Sequence, residues 1–219
     1  MVGVPFQLPV EFDLFAVFLF ALTGVWAASA RGYDVVGAFV LAFATGVGGG
    51  LLRDAVFLQE IPLVMQDKRY LIAVVLALLV GALVDKVAAR FANVFNVVDA
   101  FATGAYGVYG VNKALLAGLP PEAALLVGLC NAVGGGLIRD VLVREEPVLL
   151  KPGQIYAVAA FAGCILFTAM SYYYGLDVEH SAWAAIALTV ALRLLALRFN
   201  WTTSAFGRWR TRFFRKGKD

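Results

Sequence analysis

The sequence predicts an all-α integral membrane protein with seven transmembrane helices. Six form a 3+3 inverted-topology repeat and the seventh stands outside it. Three observations carry this expectation. Of the 219 residues, 62% are hydrophobic and only 15% are charged. A soluble domain carries about 25% charged residues, so this chain has too few to cover a water-facing surface. Seven apolar segments also approach the roughly 20 residues that cross a bilayer as helix. Finally, Gly48-Gly49-Gly50-Leu51-Leu52-Arg53-Asp54 recurs as Gly134-Gly135-Gly136-Leu137-Ile138-Arg139-Asp140, six of seven identical, at an offset of 86.

The segments lie near 12–30, 35–58, 70–88, 97–115, 122–143, 154–174 and 181–199. Asp13 stands at the start of the first. The second holds the first glycine triple, with Arg53 five residues from its end, and the third closes a first copy at about 12–88. Asp99 opens the fourth, which carries Lys113 near its far end. Pro120-Pro121 marks the turn into the fifth, which holds the second triple, and Gly175 marks the turn after the sixth. The second copy thus covers about 97–174. The seventh segment leads into a basic tail, 200–219. Connections are short, so 1–219 is expected to be a single transmembrane domain. Cys130 and Cys164 sit in apolar runs without disulfide or metal spacing. His180 is the single histidine, which argues against a histidine-based metal site. The N-terminus has neither a basic n-region nor a small-residue cleavage site, so no removable signal peptide is expected.

Lys and Arg concentrate on the cytoplasmic side of membrane proteins. With the N-terminus outside, the inner segments hold thirteen basic residues: Arg31, Lys86, Arg90, Arg144, Lys151, Arg193, Arg198, Arg208, Arg210, Arg212, Arg215, Lys216 and Lys218. The outer segments hold three, Lys68, Arg69 and Lys113. The sequence therefore predicts a membrane protein with its N-terminus outside and its C-terminus cytoplasmic. The tail anchors this topology and also suits anionic lipid headgroups, at roughly 1 kcal/mol per basic residue near the surface.

The repeat extends beyond the glycine block. Asp13 aligns with Asp99, Phe15 with Phe101, Gly24 with Gly110, Gly32 with Gly118, Glu60 with Glu146 and Tyr70 with Tyr156, with no gap. Three spans per copy force the copies into opposite orientations. Inverted repeats with interrupted helices recur in proteins that move solutes, with the path along the repeat interface.

Three successive glycines disfavour helix by about 1 kcal/mol each relative to alanine. Backbone freed in a membrane is tolerated only inside protein or along a watery cavity. The second and fifth spans are therefore expected to kink or unwind at Gly48, Gly49, Gly50 and at Gly134, Gly135, Gly136, and to expose carbonyls to a passing cation. Close helix packing is the competing reading, since Gly46-xxx-Gly50 and Gly128-xxx-Ala132-xxx-Gly136 are small-residue patterns. Thr45 and Asn131, three residues before each triple, are candidates to supply side-chain oxygens to the path or to bond backbone carbonyls.

A charge at the bilayer centre costs at least about 2.5–3.5 kcal/mol, so Arg53 and Arg139 need partners or a cavity. Two symmetry-related clusters are expected: Arg53, Asp54 and Asp13 in the outer half, and Arg139, Asp140 and Asp99 in the inner half. Each would flank the path as a constriction or gate. Adjacent helical residues point about 100° apart, so Arg53–Asp54 and Arg139–Asp140 are not expected to pair with each other. Structural pairing with snorkelling is the plainer alternative for these charges, and Lys113 reads as interfacial.

With GGGLLRD and GGGLIRD on seven spans in a three-plus-three repeat, the chain resembles the prokaryotic trimeric intracellular cation channels, a family that includes bacterial membrane proteins described as glycine transporters. The resemblance covers spans one to six and extends toward the seventh. It implies a homotrimer with one pore inside each protomer, lined by spans one, two, four and five. The implied permeant is a monovalent cation, K+ or Na+, chiefly potassium, with no other metal. Neither cofactor nor nucleic-acid partner is expected. An arginine repels a permeating cation unless it is neutralised, so a secondary transporter of a small zwitterion such as glycine stays open beside the channel. An enzyme built on a phosphate loop is disfavoured, because neither triple matches G-x-G-x-x-G or G-x-x-x-x-G-K-[ST].

Overall fold

A computed structural model describes residues 7–90, 92–151 and 155–201, with the side chains of 85–90 and 92 excluded. The side chains of Lys86 and Arg90 and the tail from 202 onward therefore lie outside the described residues. Among those described there is no strand. In order, the helices are α1 (Glu11–Ala30), α2 (Val35–Leu51), the short α3 (Leu63–Gln66), α4 (Lys68–Arg90), α5 (Ala92–Leu116), α6 (Pro121–Leu142), α7 (Tyr156–Phe167) and α8 (Val178–Arg198). Helices α2 and α7 run on as π-helical turns, Leu52–Leu58 and Thr168–Tyr173.

Helices α1, α6 and α8, together with α2 and α7 taken through their π turns, are long and apolar enough to cross a membrane. Helices α4 and α5 occupy the other two expected segments and fall outside that set. The Asp34 side chain caps α2 by accepting from Gly37 N at 2.7 Å, and Asp177 caps α8 by accepting from His180 N at 2.9 Å. Pro121 sits at the first position of α6, where its missing N–H costs nothing.

The two sequence copies close α1 and α5 alike. Gly32 and Gly118 both take positive φ, +69° and +84°. In the first copy Tyr33 N donates to Ala28 O, and in the second Leu119 N donates to Ala114 O, at 3.0 and 3.1 Å. Only glycine adopts this left-handed cap without strain.

Helix α1 packs on α2 and α4, and α5 packs on α6 and α7. The halves meet where α1 touches α5 and α2 touches α6, while α8 lies against α5 and α7. Phe20, Tyr106 and Phe167 fill the centre with no exposed surface. The outward face of α4 is apolar, with Leu83 84% exposed and Leu79 58% exposed. Such a face suits hydrocarbon better than water.

The glycine triples do not unwind. Both lie inside regular α-helix, and Leu52 N–H closes onto Gly48 O and Gly49 O. Departure from α geometry begins at Leu52 in the first copy, two residues after Gly50, where the π turn starts, whereas α6 continues unbroken to Leu142. The glycines are required by the neighbouring helix instead. A Cβ on Gly49 would stand 2.5 Å from Asn131 O, and one on Gly135 would stand 2.5 Å from Thr45 O. A Cβ on Gly134 would meet the Gly49 Cα at 3.2 Å. Each triple is thus the point where the other helix's backbone comes closest.

Candidate functional site

Two buried sets of charges flank this crossing. In the first, Arg53 leaves the π turn after α2 and forks onto Asp13 of α1, with Nη1 donating to Oδ1 at 2.9 Å and Nη2 to Oδ2 at 3.0 Å. Its Nε donates to Asp54 Oδ1 at 2.7 Å. Tyr70 OH on α4 donates to Asp13 Oδ2 at 2.6 Å. Leu63 N and Lys113 Nζ complete Asp54 at 3.0 and 2.8 Å, and Lys113 also reaches Glu60 at 3.2 Å. The Tyr109 ring lies 5.0 Å from the Arg53 guanidinium. Arg53, Asp13 and Asp54 are each about 1% exposed, so every charge here relies on these partners.

In the second set, Arg139 of α6 donates through Nη1 to Asp99 Oδ1 at 2.8 Å and to Thr23 Oγ1 at 2.9 Å, and through Nε to Asp140 Oδ1 at 3.0 Å. Val148 N donates to Asp140 Oδ2 at 3.0 Å, as Leu63 N does to Asp54. Arg193 of α8 takes the other oxygen of Asp99 at 3.0 Å and lies 3.9 Å above the Tyr156 ring. Tyr156 OH is 3.1 Å from Thr103 Oγ1.

The structure brings together each arginine–aspartate trio expected from sequence. It differs in one contact per cluster, because the neighbouring pairs Arg53–Asp54 and Arg139–Asp140 do bond. The long arginine stem folds back far enough for Nε to overcome the angular offset of adjacent residues. Lys113, read from sequence as interfacial, is a direct partner of Asp54. Sequence reasoning missed Arg193 altogether, having counted it among the topology-setting basic residues. Its position inside an apolar segment was the available signal. Tyr70 and Tyr156 were aligned by the repeat but were not assigned to the sites.

Each cluster sets two cations against two buried carboxylates, Arg53 and Lys113 with Asp13 and Asp54, and Arg139 and Arg193 with Asp99 and Asp140, while the exposed Glu60 joins the first from its rim through Lys113. Between them lie Thr45, Asn131 and the glycine crossing. Thr45 Oγ1 donates to Leu41 O at 2.6 Å, and Tyr106 OH donates to Gly46 O. Asn131 Nδ2 donates to Tyr106 O at 2.6 Å, whereas its Oδ1 is buried without a hydrogen-bond partner. An unsatisfied acceptor at a fully buried position is costly. A cavity of ≈ 10 Å³ beside Gly50, Arg53, Asp54, Tyr70 and Tyr106 has room for about one water.

A family model described as "Glycine transporter" matches residues 11–86 and again 96–172. The chain belongs to this family. Its relatives include the UPF0126 inner membrane protein YadS of Escherichia coli K12, 33% identical over 86% of this chain and 91% of that protein. Another is a UPF0126 membrane protein of Deinococcus radiodurans, 34% identical over 69% of this chain and 71% of that protein. In three dimensions the chain is similar to the trimeric intracellular cation channel orthologue from Rhodobacter sphaeroides, with a TM-score of 0.81 at 28% identity, over 87% of this chain and 97% of that one. The resemblance stated from the repeated motif therefore holds, with channels and proteins described as glycine transporters in one fold. Together with the apolar helices, the inner-membrane relative makes this an integral inner-membrane protein. Each family match contains one set of Asp, Arg-Asp and Tyr at the aligned positions, and Arg193 lies beyond both.

Proposed function

We propose that this protein is a channel for monovalent cations, K+ or Na+, with the path inside each protomer and three protomers per assembly. All seven long helices then span the membrane, with the copies inverted, the N-terminus outside and the C-terminus cytoplasmic. The path runs along α1, α2, α5 and α6. It passes the first cluster in the outer half, the glycine crossing with Thr45 and Asn131 at mid-depth, and the second cluster in the inner half. The observation that carries this reading is the pairing of both buried arginines. A cation path lined by a bare arginine would repel its permeant, and here each guanidinium is offset by two carboxylates within 3.0 Å. Asn131 Oδ1, the one buried side-chain oxygen without a donor among the described residues, supports a coordinating position between the clusters. The cavity of ≈ 10 Å³ at Gly50 holds about one water, so on this reading conduction requires the path to widen. Flexing about the glycine crossing, where helix propensity is lowest, opens it.

A transporter of a small zwitterion such as glycine is the second reading, favoured by the description of the family model. It requires an arginine free to hold a carboxylate. All three nitrogens of Arg53 and of Arg139 are already bonded to aspartates. Recording from purified protein in planar bilayers tests the choice. Unitary potassium currents support the channel, whereas saturable, sodium- or proton-coupled glycine uptake without such currents reverses it.

A further inference from the structure

We propose that Arg193, on the helix outside the repeat, sets the charge of the second cluster and thereby the cation preference of the path; this deepens, and rests on, the channel reading. Comparing the copies isolates its effect. In the first cluster Tyr70 OH donates to Asp13 Oδ2. The aligned Tyr156 does not reach Asp99 in this way, because Arg193 Nη2 occupies Asp99 Oδ2 at 3.0 Å and its guanidinium lies 3.9 Å over the Tyr156 ring. Tyr156 OH is turned to Thr103, which Arg193 Nη1 also approaches at 3.5 Å. A cation has thus replaced a neutral donor on one aspartate oxygen.

The charge consequence follows directly. Without Arg193, the second cluster holds Arg139 against Asp99 and Asp140, an excess of one negative charge. Arg193 is 5% exposed, so water screens that charge weakly. An uncompensated carboxylate in a narrow, low-dielectric passage concentrates cations and excludes anions. Arg193 is a positioning and selectivity residue that keeps the inner half of the path neutral. Because α8 packs on α5 and α7, which carry Asp99 and Tyr156, movement of α8 would unmask the charge.

The test uses the full chain in vesicles under a potassium chloride gradient, with R193Q, R193K and, as a control on the same helix, R198Q, whose side chain is exposed. Reversal potentials are expected to show R193Q raising potassium over chloride permeability several-fold. R193K, which keeps the charge, and R198Q should stay at the wild-type value. A reversal potential for folded R193Q equal to wild type overturns the proposal. So does an R193K shift as large as that of R193Q, which would make the role one of shape. If R193Q fails to elute as a folded species, D99N decides: it should move selectivity toward chloride, and an unshifted D99N overturns the proposal. Wild-type vesicles with no potassium flux would overturn the channel reading and this proposal together. Wild-type flux with unchanged R193Q overturns this proposal alone.

Discussion

In the first cluster one arginine reaches both oxygens of Asp13, and a tyrosine completes the carboxylate. In the second, two arginines divide the oxygens of Asp99 between them. The aligned residues Asp13 and Asp99, Arg53 and Arg139, and Tyr70 and Tyr156 are the same in both, yet the second cation comes from different places. Lys113 of the second copy serves the first cluster, and Arg193 of the unrepeated helix serves the second. The lesson is that a duplicated motif supplies a charge set one cation short, and each half completes it with whatever helix packs nearby.

The largest expected effect breaks this comparison at its arginines. Arg53→Ala leaves Asp13 with the Tyr70 hydroxyl in place of a cation and should cost about 3–5 kcal/mol, the penalty for leaving a buried charge alone. Arg139→Ala leaves Asp99 held by Arg193 and strands Asp140, which at 6% exposure lies nearer water than Asp13 at 1%, so it should cost less by about 1–2 kcal/mol. Thermal melts in detergent should rank R53A below R139A, and the reverse order would deny Arg193 its compensating role. Next come the glycines. Gly49→Ala and Gly135→Ala each drive a methyl against a backbone carbonyl and should cost about 1–3 kcal/mol. Gly50→Ala meets its nearest atom at 3.6 Å and should be neutral or stabilising, whereas Gly136→Ala meets Tyr156 OH at 3.0 Å and should not be. The same melts check all four.

A smaller contrast lies in the tyrosines. Tyr70→Phe removes a donor from a buried carboxylate and should cost about 1.5–3 kcal/mol. Tyr156→Phe removes only a bond to a hydroxyl, worth about 0.5–1.5 kcal/mol. Equal losses would show that Tyr156 also serves Asp99. The smallest effect is that of pH at the exposed ends of each half. Arg69 holds the Asp67 carboxyl below the usual carboxylate range beside the first cluster. The backbone N–H of His180 does the same for Asp177 at the start of the helix bearing Arg193. A lowered folded pKa gives stability that is complete above the unfolded value of about 3.9 and is lost as pH falls through the folded value. Melting temperatures of D67N and D177N should therefore differ from wild type near neutral pH and converge with it below about pH 4.

Much of this was legible in the sequence. Hydropathy placed the helical segments, and the offset of 86 paired Asp13 with Arg53–Asp54 and Asp99 with Arg139–Asp140 across 40 residues of chain. Three things were not legible, each for a physical reason. Backbone-to-backbone approach at Gly49 and Gly135 involves carbonyl oxygens, which carry no sequence identity, so the glycines read as breakers. The fold-back of Arg53 onto Asp54 depends on the reach of a long side chain rather than on helical phase. Arg193 and Lys113 join their clusters through helix packing between distant segments, which neither periodicity nor the repeat encodes.

The crossing of α2 and α6 also constrains how the gene can change. At Gly48 an added methyl would strike the Ile138 side chain, whose terminal carbon a second mutation to valine or alanine removes. At Gly49 and Gly135 the obstacle is the main chain of the other copy, which no codon can shorten. Suppressor screens should therefore recover partners for damage at position 48 and none, short of reversion, for damage at 49 or 135. The two duplicated halves hold each other to glycine there, and neither is free to diverge.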